Sequence, residues 1–297
     1  MKYLRDGLAA AERAKSSKRS GTLSLVQENY RKERIVVCYL YTFIIFRAIF
    51  TTDWKSANES LVGLNTAINE LGVESEPTLH LLYMHLQAMY YQGTGNLELA
   101  RNVYHNDARF ALPDPNKHPQ TPDDQVRRDI AIIATMNILL MRDSLPNTQT
   151  EFNRSSSLLE RLKPLCISHP NIDIQTAYHI LLTVVPTSPG ATSSQLATKS
   201  SMRAALTGAK KTGNFHLVAI TLNVMCTRFF VNIIGEQSIK SAMAAREQAG
   251  KSGNKMWMSA AMGLLAKSLE IEGNREQAER TEADAIRLAQ TALLVPE

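Results

Sequence analysis

The sequence has little that marks a secreted or disulfide-stabilised protein. It contains three cysteines in 297 residues, and Cys38, Cys166 and Cys226 lie far apart within apolar segments. An odd number of scattered cysteines does not build a disulfide framework, and none belongs to a Cys-x-x-Cys pair. The N-terminal stretch MKYLRDGLAA also lacks the apolar centre of a signal peptide. We therefore expect three buried, reduced thiols in an intracellular protein.

Long apolar runs are scarce as well. The strongest candidate, Ile35–Phe46, is followed directly by Arg47. A helix that spans a membrane needs roughly 20 apolar residues, and this run is shorter. We expect Ile35–Phe46 to form a helix that is buried on most sides.

Motifs of catalysis, nucleotide binding and metal binding are also missing. The sequence has no HExxH, GxSxG, P-loop or GxGxxG pattern. No two of its histidines have the i, i+4 spacing that metal sites on helices favour, since His80 and His85 are five residues apart. The two glycines of QGTGNLE, residues 92–98, follow a helical pattern and not a strand, so they favour a turn over a phosphate loop. We expect no enzymatic activity, no cofactor and no metal site.

Positive charge is not dense enough for a dedicated reader of DNA sequence. The formal net charge is +5. Basic pairs such as Arg127–Arg128 and Lys210–Lys211 are not interleaved with aromatic side chains that would stack on bases. Sequence-specific recognition of nucleic acid is therefore disfavoured, whereas non-specific contact with DNA or with an acidic peptide stays open.

Helical periodicity runs through nearly the whole chain. Apolar faces at 3.6-residue spacing recur, and no alternating run bounded by hairpin turns is present. The helical segments are residues 81–91, 129–141, 156–165, 172–185, 219–234 and 257–271. Two loops, residues 113–124 and 186–195, interrupt the series, and Asp123 or Asp124 is a candidate cap for the helix after the first loop. The pattern predicts an all-α protein, with residues 1–297 forming a single array.

A Gly-Asn step that leads into an amphipathic helix recurs at Gly95, Gly213 and Gly273, and a looser copy begins at Thr52. Small or apolar residues recur seven and four positions before each turn and five positions after it, and also nine positions after Thr52, Gly95 and Gly213. Helix-turn-helix repeats need such residues where two helices cross closely. The residues assigned to repeat packing are Ala57, Ala88, Tyr91, Gly95, Ala100, Tyr104, Gly213, Gly235, Trp257, Ala266, Gly273 and Ala278. The spacing predicts a TPR-like superhelix of antiparallel helix pairs, in which the asparagines cap the second helix; a generic helical bundle is the alternative.

The C-terminal third resembles the end of the cohesin-loading factor family, in its fungal branch. The features that carry the resemblance are Gly235 followed by a helix of small residues, the run Trp257-Met-Ser-Ala-Ala-x-Gly-Leu-Leu, and Gly273-Asn-x-x-x-Ala. The segments TDWKSANESLVGLNTAINELG and QGTGNLELARNVY are also similar to that family, whereas residues 112–205 resemble it weakly. Family members are longer than this chain, so the resemblance implies a C-terminal portion or a short form.

The resemblance implies a non-enzymatic nuclear scaffold that associates with chromatin. In that family the TPR subunit of the cohesin loader wraps the extended N-terminal segment of the large HEAT-repeat loader subunit, and it supports cohesin loading and sister-chromatid cohesion. Stacked helix pairs form a concave surface that suits an extended peptide. Offsets from the turns give these candidate groove residues: His85, Met89, Arg203, Lys210, Lys211 and Lys267. The alternative is another TPR-type interaction scaffold, such as a transcription-regulator domain or a proteasome-lid-like subunit.

Overall fold

The computed structural model describes residues 6–9, 23–72, 76–141, 149–185, 195–230 and 236–293. All regular secondary structure within these ranges is helical, so the prediction of an all-α helical-repeat protein is confirmed. The α-helices are α1 Leu23–Phe50, α2 Trp54–Leu71, α3 Pro77–Gly93, α4 Leu97–Asn106, α5 Pro122–Leu140, α6 Gln149–Ile167, α7 Ile172–Val184, α8 Gln195–Thr212, α9 Phe215–Met225, α10 Glu236–Ser252, α11 Lys255–Ile271 and α12 Arg275–Leu293. A 3₁₀ turn, Ala108–Phe110, follows α4, and a π-helical segment, Cys226–Phe230, follows α9.

The backbone divides into two compact units, and the boundary falls between Ile130 and Ala131 within α5. Unit 1 contains α1 to α4 and the first half of α5. Unit 2 contains the second half of α5 and α6 to α12, together with the loop Phe110–His118. That the whole chain forms one superhelix stays a prediction.

Unit 1 has its core between α1, α2 and α3. Ile45 of α1, Leu64 and Ile68 of α2 and Leu86 of α3 are almost fully buried and pack together. Removal of these aliphatic side chains from water supplies most of the stabilisation, at roughly 25 cal/mol for each square ångström of apolar surface. The pairing of apolar helix faces that the periodicity predicts is therefore what holds this unit together.

Helix α1 is less buried than the sequence predicts. The run Ile35–Phe46 lies in its middle and buries Val37 and Cys38 completely, but it leaves Val36, Tyr39 and Phe43 exposed. The prediction that this run is buried on most sides is thus too strong, because α2 and α3 cover one face of α1. No helix among the described residues is long and apolar enough to cross a membrane.

Five turns along the chain share one hydrogen-bonded geometry. In each, a residue with positive φ ends one helix, and an asparagine or aspartate follows it. The five positive-φ residues are Thr52, Gly95, Gly213, Gly253 and Gly273, with φ between 57° and 85°. The N–H of each donates to the carbonyl three residues before it, and the N–H of the next residue donates to the carbonyl five residues before itself, over 2.8–3.2 Å. This is the Schellman motif, which ends a helix and sets the direction of the next one.

The carbonyls that accept the second of these bonds belong to the residues four positions before each turn. Those residues are Ala48, Tyr91, Ala209, Ala249 and Leu269. All are buried except Tyr91, which is half-buried against the unit 1 core. The repeated spacing in the sequence thus has a structural cause, since the same residue ends the helix and packs beneath the next one.

Gly253-Asn254 is a turn of this type that the sequence analysis did not assign. It joins α10 to α11. Gly235, which the sequence assigns to repeat packing, lies outside the described residues, as does most of the loop 186–195. The turns also differ in phase: Thr52, Gly95 and Gly273 follow odd-numbered helices, but Gly213 and Gly253 follow even-numbered helices.

The loop after the 3₁₀ turn ends in a capping box. The hydroxyl of Thr121 accepts a hydrogen bond from the N–H of Asp124, and the carboxylate of Asp124 accepts one from the N–H of Thr121, at 3.1 and 3.2 Å. Pro122 then occupies the first position of α5, where its missing N–H costs nothing. The cap is therefore Thr121, while Asp123 and Asp124 lie in the first helical turn.

The Gly-Asn turns allow a matched test of side-chain capping. The side chain of Asn254 accepts a hydrogen bond from the N–H of Trp257 at 2.8 Å, whereas the side chain of Asn274 instead donates to Gln277. Asn254→Ala is expected to lower the free energy of unfolding by about 1 kcal/mol, and Asn274→Ala by less than about 0.5 kcal/mol. Urea unfolding followed by circular dichroism measures both; equal losses would contradict the assignment of the caps.

Candidate functional site

In unit 2 the odd-numbered helices form one continuous row. Helix α9 contacts both α7 and α11, and the side-chain amide of Asn223 on α9 donates to the carbonyl of Trp257 on α11 at 3.3 Å. Helices α8 and α10 each pack against α9, and Ala209 and Ala245 join the core cluster around Val218, which also contains Ala261 of α11. We call α7, α9 and α11 the inner row, and α8 and α10 the outer layer.

The six candidate groove residues do not lie on one surface. His85 and Met89 are on α3 in unit 1, Arg203, Lys210 and Lys211 are on α8 in the outer layer of unit 2, and Lys267 is on α11 in the inner row. Lys267 is exposed beside a cavity of about 10 Å³, which holds at most one water molecule. Met89 is half-buried against the core of unit 1. The three α8 cations lie in the outer layer because the Gly213 turn follows an even-numbered helix.

His85 is an interior residue. It is 2% exposed, and its Nδ1 lies 3.1 Å from the hydroxyl of Tyr104 on α4. Burial lowers the pKa of His85 to about 4, so the ring is neutral at pH 7. In this position His85 couples α3 to α4 and does not face a peptide.

The repeat-packing residues are placed as follows. Ala57, Ala88, Ala100, Tyr104, Ala266 and Ala278 are buried, Tyr91 and Trp257 are half-buried, and Gly95, Gly213 and Gly273 occupy the turns. Ala88 and Ala100 have no exposed surface, and they lie on α3 and α4, the two helices of one pair. Small side chains at such positions let helix backbones approach closely.

An open groove runs between α3 and α4 on the surface of unit 1, with a volume of about 450 Å³. Met84 and Tyr91 of α3 and Leu99 and Val103 of α4 supply its apolar lining. The carboxamides that line the same groove are Gln87, Asn102 and Asn106. This combination of an apolar floor and polar groups that both donate and accept hydrogen bonds is typical of a surface that binds a peptide.

A charged bridge crosses the groove near the end of α4. The Arg109 guanidinium donates to the Asp107 carboxylate at 2.5 Å and lies 3.1 Å from Nδ1 of His80 on α3. The hydrogen bonds from Arg109 hold the pKa of Asp107 below its usual range, while burial and the neighbouring guanidinium lower the pKa of His80. Because the bridge is overall neutral at pH 7, the groove has no strong preference for an acidic or a basic ligand.

The three cysteines are free and buried, as the sequence predicts. Burial raises the pKa of Cys38 and Cys226 to about 11 and that of Cys166 to about 12, so these thiols are unreactive at neutral pH. Among the described residues, no three His, Cys, Asp or Glu side chains are grouped so that they could hold a metal ion.

The groove residues were missed by the sequence analysis, although a signal was present. Met84, Gln87 and Tyr91 recur at three- and four-residue steps on α3, and all three are only half-buried. Leu99 and Val103 follow the Gly95 turn with the same steps. Two such stripes on paired helices are apolar surface that the pair itself does not bury.

A comparison with protein families decides between the open alternatives. The family model described as "Cohesin loading factor" matches residues 1–276. The chain belongs to the cohesin loading factor family. The match is continuous through residues 112–205, where the sequence resemblance was weak, and it ends near the start of α12, where the resemblance was expected to be strong. No curated protein and no solved structure matches the chain.

Membership of this family gives the chain a role in cohesin loading and in the loader complex that acts on chromatin. The alternatives of a transcription-regulator domain and a proteasome-lid-like subunit are thereby set aside. The helical pairs and their turns are the framework on which this role depends.

Proposed function

We propose that this cohesin loading factor is a non-enzymatic scaffold that holds the extended N-terminal segment of the large HEAT-repeat loader subunit, and that it acts in the nucleus. The family match over residues 1–276 carries the proposal. The support from the fold is the paired helices, since helical-repeat proteins bind extended peptides on the surfaces between and within their repeats.

The groove between α3 and α4 is the proposed contact for part of that segment. Its carboxamides on Gln87, Asn102 and Asn106 can pair with the N–H and C=O groups of an extended backbone. Leu99 is 49% exposed within the groove and offers an apolar anchor. Lys267, on the inner row of unit 2, is proposed to make a further contact, whereas His85 is buried and supports the groove from beneath.

The loading function is tested by replacement in cells. Cells that lack their own TPR loader subunit are supplied with this chain, and chromosome-bound cohesin is measured by chromatin immunoprecipitation. We expect cohesin on chromosomes to rise above the level of the empty-vector control and premature sister separation to fall. Stable expression of the chain in the nucleus, with no recovery of bound cohesin and no association with the large subunit, would oppose the proposal.

A further inference from the structure

The outer layer of unit 2 carries an unusual concentration of positive charge. Helix α8 has four cations, Lys199, Arg203, Lys210 and Lys211, and no acidic residue. All four side chains are exposed, and none of them forms an ion pair with another described residue. Helix α12 differs in this respect, because its Arg275, Arg280 and Arg287 are each paired with a carboxylate.

The neighbouring helix extends the same surface. On α10, Glu236 pairs with Lys240 and Glu247 pairs with Lys251, at 2.8 and 2.6 Å, so both acids of this helix are already neutralised. Arg246 of α10 is exposed and adds a fifth cation. Helices α8 and α10 both pack against α9, and we therefore consider their exposed cations together. We call the surface of Lys199, Arg203, Lys210, Lys211 and Arg246 the basic face.

Asp173 of α7 is an acidic residue that is hydrogen-bonded to the C-terminal end of α8. Its carboxylate accepts from the hydroxyl of Thr212 at 2.7 Å and from the side-chain amide of Asn214 at 2.9 Å. These bonds hold Asp173 at the junction of α7, α8 and α9, where it ties the turn to α7. Asp173 therefore offsets little of the positive charge of Lys199 and Arg203, which lie nearer the N-terminal end of α8.

We infer that the basic face binds the phosphate backbone of duplex DNA without reading its sequence. The cations are spread along one rigid helix, with Lys199 and Lys210 about 16 Å apart at a rise of 1.5 Å per residue, and this spacing reaches several phosphates of a duplex. The exposed residues between them, such as Ser200 and Thr207, are small and polar. Backbone phosphates need only positive charge and polar donors. Leu196 on α8 and Met243 on α10 are also exposed, so the test below includes an acidic peptide as the competing ligand.

This inference is separate from the peptide groove of the proposed function. The groove lies on α3 and α4 in unit 1, and the basic face lies on α8 and α10 in unit 2, so each is removed by its own substitutions. A scaffold with both surfaces would hold its partner on one and steer the loader complex towards DNA with the other. The DNA contact is expected to be weak and strongly dependent on salt, as non-specific binding is.

The test compares two triple variants of the full chain that change the net charge equally. One is Arg203→Gln, Lys210→Gln and Lys211→Gln on α8; its control is Arg275→Gln, Arg280→Gln and Arg287→Gln on α12. Binding to a fluorescent 30-base-pair duplex is measured by anisotropy from 50 to 200 mM salt. We expect the α8 variant to bind at least about tenfold more weakly at 50 mM salt and its salt slope to fall by roughly 2 to 3, whereas the α12 variant changes affinity less than about threefold.

Two controls separate the possible outcomes. The α8 variant should keep the thermal unfolding midpoint of the parent chain and its affinity for the loader-subunit segment, because its side chains are exposed and distant in sequence from the groove helices. Equal losses of DNA binding in the two triple variants would overturn the inference, as would an unchanged α8 variant. Tighter binding of a poly-glutamate peptide than of the duplex at the same salt would assign the basic face to an acidic protein partner and would also overturn it.

Discussion

Lowering the pH from 7.5 to 4 is expected to remove about 3 kcal/mol from the free energy of unfolding through His85 alone. Burial lowers the pKa of His85 from 6.5 to about 4. Between these two values the unfolded chain binds a proton at this residue and the folded chain does not, so acid favours unfolding. The stabilisation is complete above pH 6.5 and falls as the pH drops towards 4; about 2 kcal/mol is lost by pH 5.

The substitution His85→Asn isolates this contribution. Asparagine does not titrate, and its side-chain amide can hydrogen-bond with the Tyr104 hydroxyl in place of Nδ1. Urea unfolding is measured for both proteins at pH 7.5 and pH 5. We expect the parent chain to lose about 2 kcal/mol more than the variant over this interval. His216, whose pKa is also lowered to about 4 by burial, lies in unit 2 and is present in both proteins. If both proteins show the same dependence on pH, the neutral, buried state of His85 is wrong.

Gly93→Ala is expected to lower the free energy of unfolding by about 2 kcal/mol, although alanine is the better helix former. A Cβ atom at position 93 would lie 2.3 Å from the ring of Trp54, which is itself buried. The ring cannot move aside without disturbing the core of unit 1, and overpacking of this kind costs about 1–3 kcal/mol. That cost exceeds the gain of up to about 1 kcal/mol from replacing a helical glycine.

Gly263 of α11 supplies the matched control. It also lies inside a helix, but a Cβ atom there would meet no other atom within 4 Å. Gly263→Ala is expected to raise the free energy of unfolding by about 0.5–1 kcal/mol, since only the helix propensity changes. Urea unfolding of the two variants checks both signs. A stabilising Gly93→Ala would show that α3 does not pack against Trp54 at this distance.

The helices were predictable because their apolar faces repeat every three to four residues. The segment 81–91 is an example: it lies inside α3, and its Leu86 and Ala88 are fully buried. The turn at Gly95 was predictable for a similar reason, since glycine accepts positive φ and the next residue can begin a helix. Local sequence determines both the helices and the turn, so both can be predicted from one sequence without an alignment.

The phase of the repeat was not predictable from local sequence. Gly213 has the same neighbours and the same hydrogen bonds as Gly95, yet it follows an even-numbered helix because the number of helices between the two turns is odd. The offsets from the turns assume one phase for every turn and assign Arg203 and Lys210 to a groove, whereas the structure places both on α8. The phase at Gly213 follows only from the number of helices between the two turns.

Side-chain burial was the other limit. The offset from the Gly95 turn assigns His85 to a groove, but only the packing of α4 shows that Tyr104 covers it. Conversely, Leu99 is apolar, yet it is 49% exposed. Which apolar residue of a pair faces inward depends on the rotation of each helix about its axis, and long-range packing sets that rotation.

The most direct test of the scaffold proposal is a calorimetric titration of the intact chain with the N-terminal segment of the large loader subunit. We expect saturable binding of one segment per chain. Leu99→Asp should weaken it at least about tenfold, equivalent to about 1.4 kcal/mol, because a charge would replace the apolar anchor in the α3–α4 groove. Ile286→Asp is the matched control, since Ile286 on α12 is 52% exposed and Leu99 is 49% exposed; this variant should bind like the parent. Absence of binding by a folded chain, or equal weakening by the two substitutions, would contradict the account.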